Sequence, residues 1–205
     1  MSEIQSTYRT VRELSTGIFK EKGSKFIAFA APCHSEEGVK ELLDQWRKEN
    51  HQARHLCYAF RLGLEKKLFR ANDDGEPNNS AGLPILGQIQ SLDLTNILVG
   101  VVRYFGGTKL GVGGLVQAYK AAAKESLEAA VIIEVEVFSH FDLEFNYDEM
   151  PELMNFLKQR KITISAKRFN EDCCLEIKVE LNKTNEFEMA LNEFKSVLCI
   201  KKGIY

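Results

Sequence analysis

One stretch constrains this chain more than any other. Thr95–Phe105 carries Ile97, Leu98, Val99, Val101 and Val102 in near-continuous order, and five of the next residues up to Gly114 are glycine. Such an apolar run reads as a strand buried on both faces. Leu115–Ala130 then repeats apolar residues at spacings of three and four, with alanines that favour a helix. The sequence therefore predicts a buried strand, a glycine-rich loop at Tyr104–Gly114 and a helix. Glycine admits positive φ and lets a ligand or another backbone approach closely. Free N–H groups at the start of the helix suit a phosphate or carboxylate. Two readings stand together: an anion-binding loop with Lys109 adding charge, and a tight packing joint between strand and helix. Neither the GxGxxG dinucleotide fingerprint nor a phosphate loop with Lys-Ser/Thr is present.

The rest of the chain alternates types. Ile18–Phe29 has β character around Gly23. Glu36–Asn50 reads as a helix capped by Ser35, with Val39, Leu42, Leu43 and Trp46 on one face. His55–Leu64 and Lys67–Arg70 form a hairpin pattern, Asn72–Pro77 is turn chemistry and Pro84–Leu92 a short helix. Beyond Ala130 the order becomes β-α-β-β-α-β: Val131–Phe145, Met150–Gln159, Ile162–Phe169, Cys173–Leu181 after a turn at Asn170–Asp172, Asn185–Phe194 and Val197–Ile204. That is the split βαβ order of a ferredoxin-like domain. The chain is thus expected to be α+β in two domains, residues 1–134 and 135–205.

Charge and cysteine content narrow the function classes. The 27 basic and 29 acidic residues divide as 17 and 17 up to Glu136 and 10 and 12 beyond it. Neither half has the basic excess of a tight nucleic-acid binder. No apolar run is long enough to span a membrane and Met1–Thr10 is polar, so a cytoplasmic protein is expected. The five cysteines form no CxxC pair and read as small core residues. Cys173 and Cys174, adjacent on a strand, would face opposite ways.

Two further clusters carry chemistry. In Asp73-Asp-Gly-Glu-Pro-Asn-Asn-Ser-Ala-Gly82 the carboxylates could hold a hard cation, but the alternate spacing of a calcium loop is missing. A turn with solvated acids that caps the next helix is the stronger reading. His55 and Cys57 share a strand face, too few ligands for zinc and poorly placed for a catalytic pair. No cofactor, metal site or catalytic nucleophile is assigned.

Several of these segments occur together in a known family. Lys22-Gly-Ser-Lys-Phe-Ile-Ala28, His55-Leu-Cys-Tyr-Ala-Phe-Arg61, Asp73-Asp-Gly-Glu-Pro77 with Ala81-Gly82, and Arg103-Tyr-Phe-Gly-Gly-Thr-Lys-Leu-Gly-Val-Gly-Gly-Leu-Val-Gln-Ala-Tyr119 closely resemble the YigZ/Impact family. Asn79 stands where the family usually has glycine; asparagine tolerates the left-handed region better than most residues. The resemblance implies a first domain like domain 2 of ribosomal protein S5 and a ferredoxin-like second domain like a late domain of the translocating elongation factor. It also implies a link to translational control, in which eukaryotic members restrain an amino-acid-starvation kinase by competing for its activator.

On this basis the expected binding residues are His55, Asp74, Gly75, Glu76, Pro77, Arg103, Tyr104, Gly106, Gly107, Lys109, Gly111, Gly113 and Gly114. The leading expectation is a non-enzymatic regulatory protein that binds RNA, the ribosome or a translation-control protein. The alternative is an enzyme acting on a phosphorylated or nucleotide substrate, with a metal at Asp74 and Glu76. A third reading, a partner-binding scaffold, would show a broad apolar patch.

Overall fold

The computed structural model describes residues 5–169, 173–194 and 196–205. The turn expected at Asn170–Asp172 lies outside them. The chain divides into two compact units. Tyr8–Val135 forms the first, and Glu136–Tyr205 together with Gln5–Thr7 forms the second. Residues 5–7 therefore group with the second unit rather than with the first.

The first unit is built on a sheet of β2 (Ser15–Glu21), β3 (Ser24–Pro32), β6 (Ile97–Tyr104), β4 (His55–Leu62) and β5 (Leu68–Asn72), in that order across the sheet. All neighbours run antiparallel. Successive side chains of a strand face opposite ways, so the central strands β3, β6 and β4 each feed two cores. Phe26, Ala28, Cys57, Val99 and Val101 pack under α2 (Gly82–Ser91) and α3 (Gly111–Glu128). Phe29, Leu56, Phe60, Leu98 and Val102 pack with Val39 and Trp46 of α1 (Glu36–Glu49) on the other face. Helices on both faces explain why the middle of β6 is apolar without alternation. Trp46 is 1% exposed and its ring stacks on Phe29 at 5.2 Å.

Local signals set the ends of these elements. Ser35 accepts a hydrogen bond from the Gly38 N–H at 3.1 Å and so caps α1 as its sequence implied. The α3 helix begins at Gly111, four residues before the expected start, so Gly111, Gly113 and Gly114 form its first turn and not a loop. Glycine has low helix propensity, which is why the residues suggested a later start. The remaining loop is Phe105–Leu110. A separate two-stranded sheet pairs β1 (Thr7–Val11) with β7 (Ile132–Glu136).

The second unit runs β8 (Phe138–Phe145), α4 (Met150–Gln159), β9 (Thr163–Phe169), β10 (Cys173–Glu180), α5 (Thr184–Leu191) and β11 (Leu198–Ile204). Its sheet order is β11-β8-β10-β9, antiparallel throughout. Phe141, Leu143, Leu175, Ile177 and Val179 pack against Leu153, Phe156 and Leu157 of α4 and Phe187 and Leu191 of α5. Cys173 joins this core, while Cys174 faces away beside Arg168. The five cysteines are free thiols; Cys33, Cys57, Cys173 and Cys174 are buried, and Cys199 is only partly so.

Candidate functional site

The end of β6 places the candidate site. Register sets Arg103 directly across from Phe26 on β3 and from His55 on β4. Cross-strand partners share a face, so these three side chains form one row beneath the start of α3. Glu76 reaches this row from the acidic turn. Its Oε1 accepts from Arg103 Nη1 at 2.7 Å and from the Tyr119 hydroxyl of α3 at 2.8 Å. The Arg103 side chain is 10% exposed and that of Glu76 5%. The Arg103 guanidinium also stands 5.6 Å from the Phe26 ring and 5.5 Å from the Phe105 ring. One ion pair thereby ties the acidic turn, the sheet and α3 together.

Above it lies a cleft of about 720 Å³. Of the residues expected from sequence, it brings together His55, Glu76, Pro77, Arg103, Tyr104, Lys109 and Gly111. Arg54, Phe105, Leu110 and Val112 complete much of its wall and were not expected there. Three of them lie in segments already singled out, and Arg54 sits one residue before His55, itself an expected binding residue. The wall offers the cations Arg54, Arg103 and Lys109 against Glu76, whose charge Arg103 already meets. The first turn of α3 opens there with no side-chain cap and no acidic residue, so its N–H groups and positive dipole end are available.

The other expected residues do structural work beside the cleft. Asp74 does not line it. Its Oδ2 accepts from the Leu56 N–H at 2.7 Å and from Arg47 at 3.1 Å. The Asp74 carbonyl lies 2.6 Å from His55 Nδ1. A carbonyl only accepts, so Nδ1 carries the proton and Nε2 is the ring's remaining hydrogen-bonding atom. Asp73 accepts from the Asn79 N–H on one oxygen and from the Ala81 and Gly82 N–H groups on the other, at 2.8–2.9 Å. It therefore caps α2, as the turn reading expected, but the acids of that turn are not all solvated: Glu76 is buried against Arg103 and Tyr119. Asn79 adopts φ +64°, so the left-handed turn persists without the usual family glycine.

The glycines divide by role. A Cβ on Gly106 would collide with the Gly23 backbone, and the Gly106 N–H donates to Ser24 Oγ at 3.2 Å. Gly106 is a packing joint. Gly107 and Gly111 have φ +88° and +70° with open space beside them. Gly75 has φ +87° against the His55 ring. Gly113 has neither a positive φ nor an atom within 4 Å of a built Cβ, while Gly114 would meet Leu110 at 3.0 Å.

Cys57 lies under the acidic turn, with its thiol 3.0 Å from the Asp73 carbonyl. Burial pushes the thiol up to about 12 from an ordinary 9.0; a hydrogen bond with Tyr119 opposes this, and the charges of Glu76, Asp74 and Asp73 add to it. The Tyr119 hydroxyl is also raised, by burial first and then by Cys57 and Glu76. The folded state thus holds the Cys57 proton more tightly than the unfolded chain. Its linked stability is complete below pH 9.0 and is lost as pH rises toward 12. The urea midpoint of the first unit is expected to fall over that window, and Cys57→Ala to flatten the fall. A midpoint that does not change from pH 8 to 10.5 refutes the assignment.

Fold and cleft together define a mixed α/β protein of two units whose first carries a cleft lined by Arg54, Arg103 and Lys109. Residues 22–127 match the model of the Impact N-terminal domain. The IMPACT family member YigZ of Escherichia coli (strain K12) is 30% identical over 175 residues, covering 84% of this chain and 86% of that protein. The Protein IMPACT homolog of Saccharomyces cerevisiae is 35% identical over 96 residues, 44% of this chain and 36% of that one. A crystal structure of a hypothetical protein superposes with a TM-score of 0.74 at 27% identity, covering 97% of this chain and 98% of the other. The chain belongs to the Impact family. No helix among the described residues is long and apolar enough to cross a membrane.

Proposed function

We propose that this protein is a cytoplasmic, translation-linked regulator that acts by binding RNA, the ribosome or a translation-control protein, and that the cleft beside β6 is its recognition site. Family membership supports the translational link, since eukaryotic Impact proteins act there. The observation that carries the site is the gathering of Arg54, Arg103, Lys109 and the uncapped start of α3 around one cavity. Within this reading the first unit takes the S5 domain 2-like fold. The βαββαβ order and β11-β8-β10-β9 pairing support a ferredoxin-like second unit.

The enzymatic alternative needs a metal at Asp74 and Glu76. Both carboxylates already hold strong protein donors, Leu56 and Arg47 on one and Arg103 and Tyr119 on the other. Among the described residues no group of three or more His, Cys, Asp or Glu side chains is placed to hold a metal. That geometry speaks against a metal at Asp74 and Glu76.

The test is recovery of partners from cells by crosslinking and pull-down, with and without ribonuclease, using the wild type and Lys109→Ala. RNA, ribosomes or translation factors should be recovered, and less so with the variant. For an RNA partner, Lys109→Ala should lower the salt slope of binding by about one unit. Failure to recover any of these at low salt removes the proposal.

A further inference from the structure

Accepting the cleft as the recognition site, we infer that its ligand is a nucleotide phosphate: a phosphate at the start of α3 with a flat base against Phe105. The chemistry is shared by a free nucleoside monophosphate and the 5′-phosphorylated end of an RNA strand.

Four observations carry this. The cavity volume lies in the range of small-molecule sites, roughly 300–1,000 Å³. Lys109, Arg54 and the uncapped first turn of α3 supply charge and N–H donors for a dianion. Arg103 is nine-tenths buried in the cleft wall, and its Nε has no hydrogen-bond partner among the described residues. An orphaned buried donor costs roughly 1–3 kcal/mol; the Nε atom is itself closed to solvent, so an anion in the cleft meets this guanidinium by charge rather than by a bond at Nε. Lastly, Phe105 and Val112 are 55% and 56% exposed on the same wall, an apolar surface that an inorganic ion alone would leave uncovered. A peptide phosphate would leave this apolar platform uncovered, whereas a base stacks on it. The guanidinium beside the Phe105 ring holds the platform in place.

The experiment is an amide NMR titration of the full chain at low salt. The probes are inorganic phosphate, AMP, and one short oligoribonucleotide with either a 5′-phosphate or a 5′-hydroxyl. Phosphate and AMP should both shift the Gly111–Gly114 amides saturably. AMP should bind about tenfold or more tightly than phosphate, the effect of one stacked base. Phe105→Ala should erase that difference. Val112→Asp puts an acid in the first turn of α3, where it favours the helix and repels a phosphate. It should leave the melting temperature unchanged or higher and weaken AMP at least about tenfold.

A phosphorylated oligonucleotide that binds more tightly than AMP and than its hydroxyl form assigns the site to RNA ends. Equal affinity for AMP assigns it to the free nucleotide. The inference is overturned by no saturable shift at millimolar AMP, by AMP binding no tighter than phosphate, or by Val112→Asp binding like wild type. If Lys109→Ala still reduces RNA or ribosome recovery in that event, the recognition reading survives and only the nucleotide inference falls.

Discussion

Glu76→Ala lowers the stability of the first unit by about 3–5 kcal/mol, the cost of leaving one member of a buried ion pair without its partner. Two groups lose their acceptor at once. Arg103 keeps its charge with its side chain only 10% exposed, and the Tyr119 hydroxyl, on a residue buried completely, loses its hydrogen bond. Arg103 reaches water only through the cleft, and the Tyr119 hydroxyl is closed off from it. Glu76→Gln keeps an acceptor in place and should cost less. The double variant Glu76→Leu with Arg103→Met removes both charges and should recover much of the loss, because paired burial of charge contributes little net stability. Urea unfolding of the three variants checks the ordering. If Glu76→Ala lies within 1 kcal/mol of wild type, the pair is not the tie between turn, strand and helix described above.

Gly106→Ala should cost about 2–3 kcal/mol, the upper range for overpacking a closed site. The added methyl meets the Gly23 backbone at the β2–β3 turn, and a backbone yields less readily than a flexible side chain. Gly113→Ala, seven residues on, should be neutral or gain up to about 1 kcal/mol, since the position is helical and open. Thermal melts of the two variants should therefore move in opposite directions. Equal losses would mean that the first turn of α3 is packed where the structure shows open space.

The pattern of this fold was legible wherever the cause is local. Ser35 announces α1, the period of Met150, Leu153, Met154 and Leu157 places α4, and the uninterrupted apolar residues of β6 reflect helices on both faces. The start of α3 was misplaced because propensity speaks against glycine in a helix. Position in the fold overrides it at Gly111. The cleft was half legible. Its glycines and acids stood out by composition, but the Arg103–Glu76–Tyr119 link joins residues far apart in sequence. Only the register of β3, β6 and β4 under α3 brings them within bonding distance. Arg54 carries no periodic or motif signal of its own, and Phe105 and Val112 stand inside the glycine-rich motif with nothing to mark them from their neighbours, so their part emerges only from the cleft.

The position of β6 at the centre of the first sheet has a consequence for timing. Arg103 and Tyr104 end a strand paired on both edges, and Tyr104 is further tethered to Asn50 at 3.0 Å. The floor of the cleft is thus assembled when the domain folds and does not wait for a ligand to order it. Under the proposed function the site is preorganised, so little conformational entropy remains to be lost on association. Affinity should therefore respond to the chemistry of the guest more than to the mobility of the host, and association should be fast.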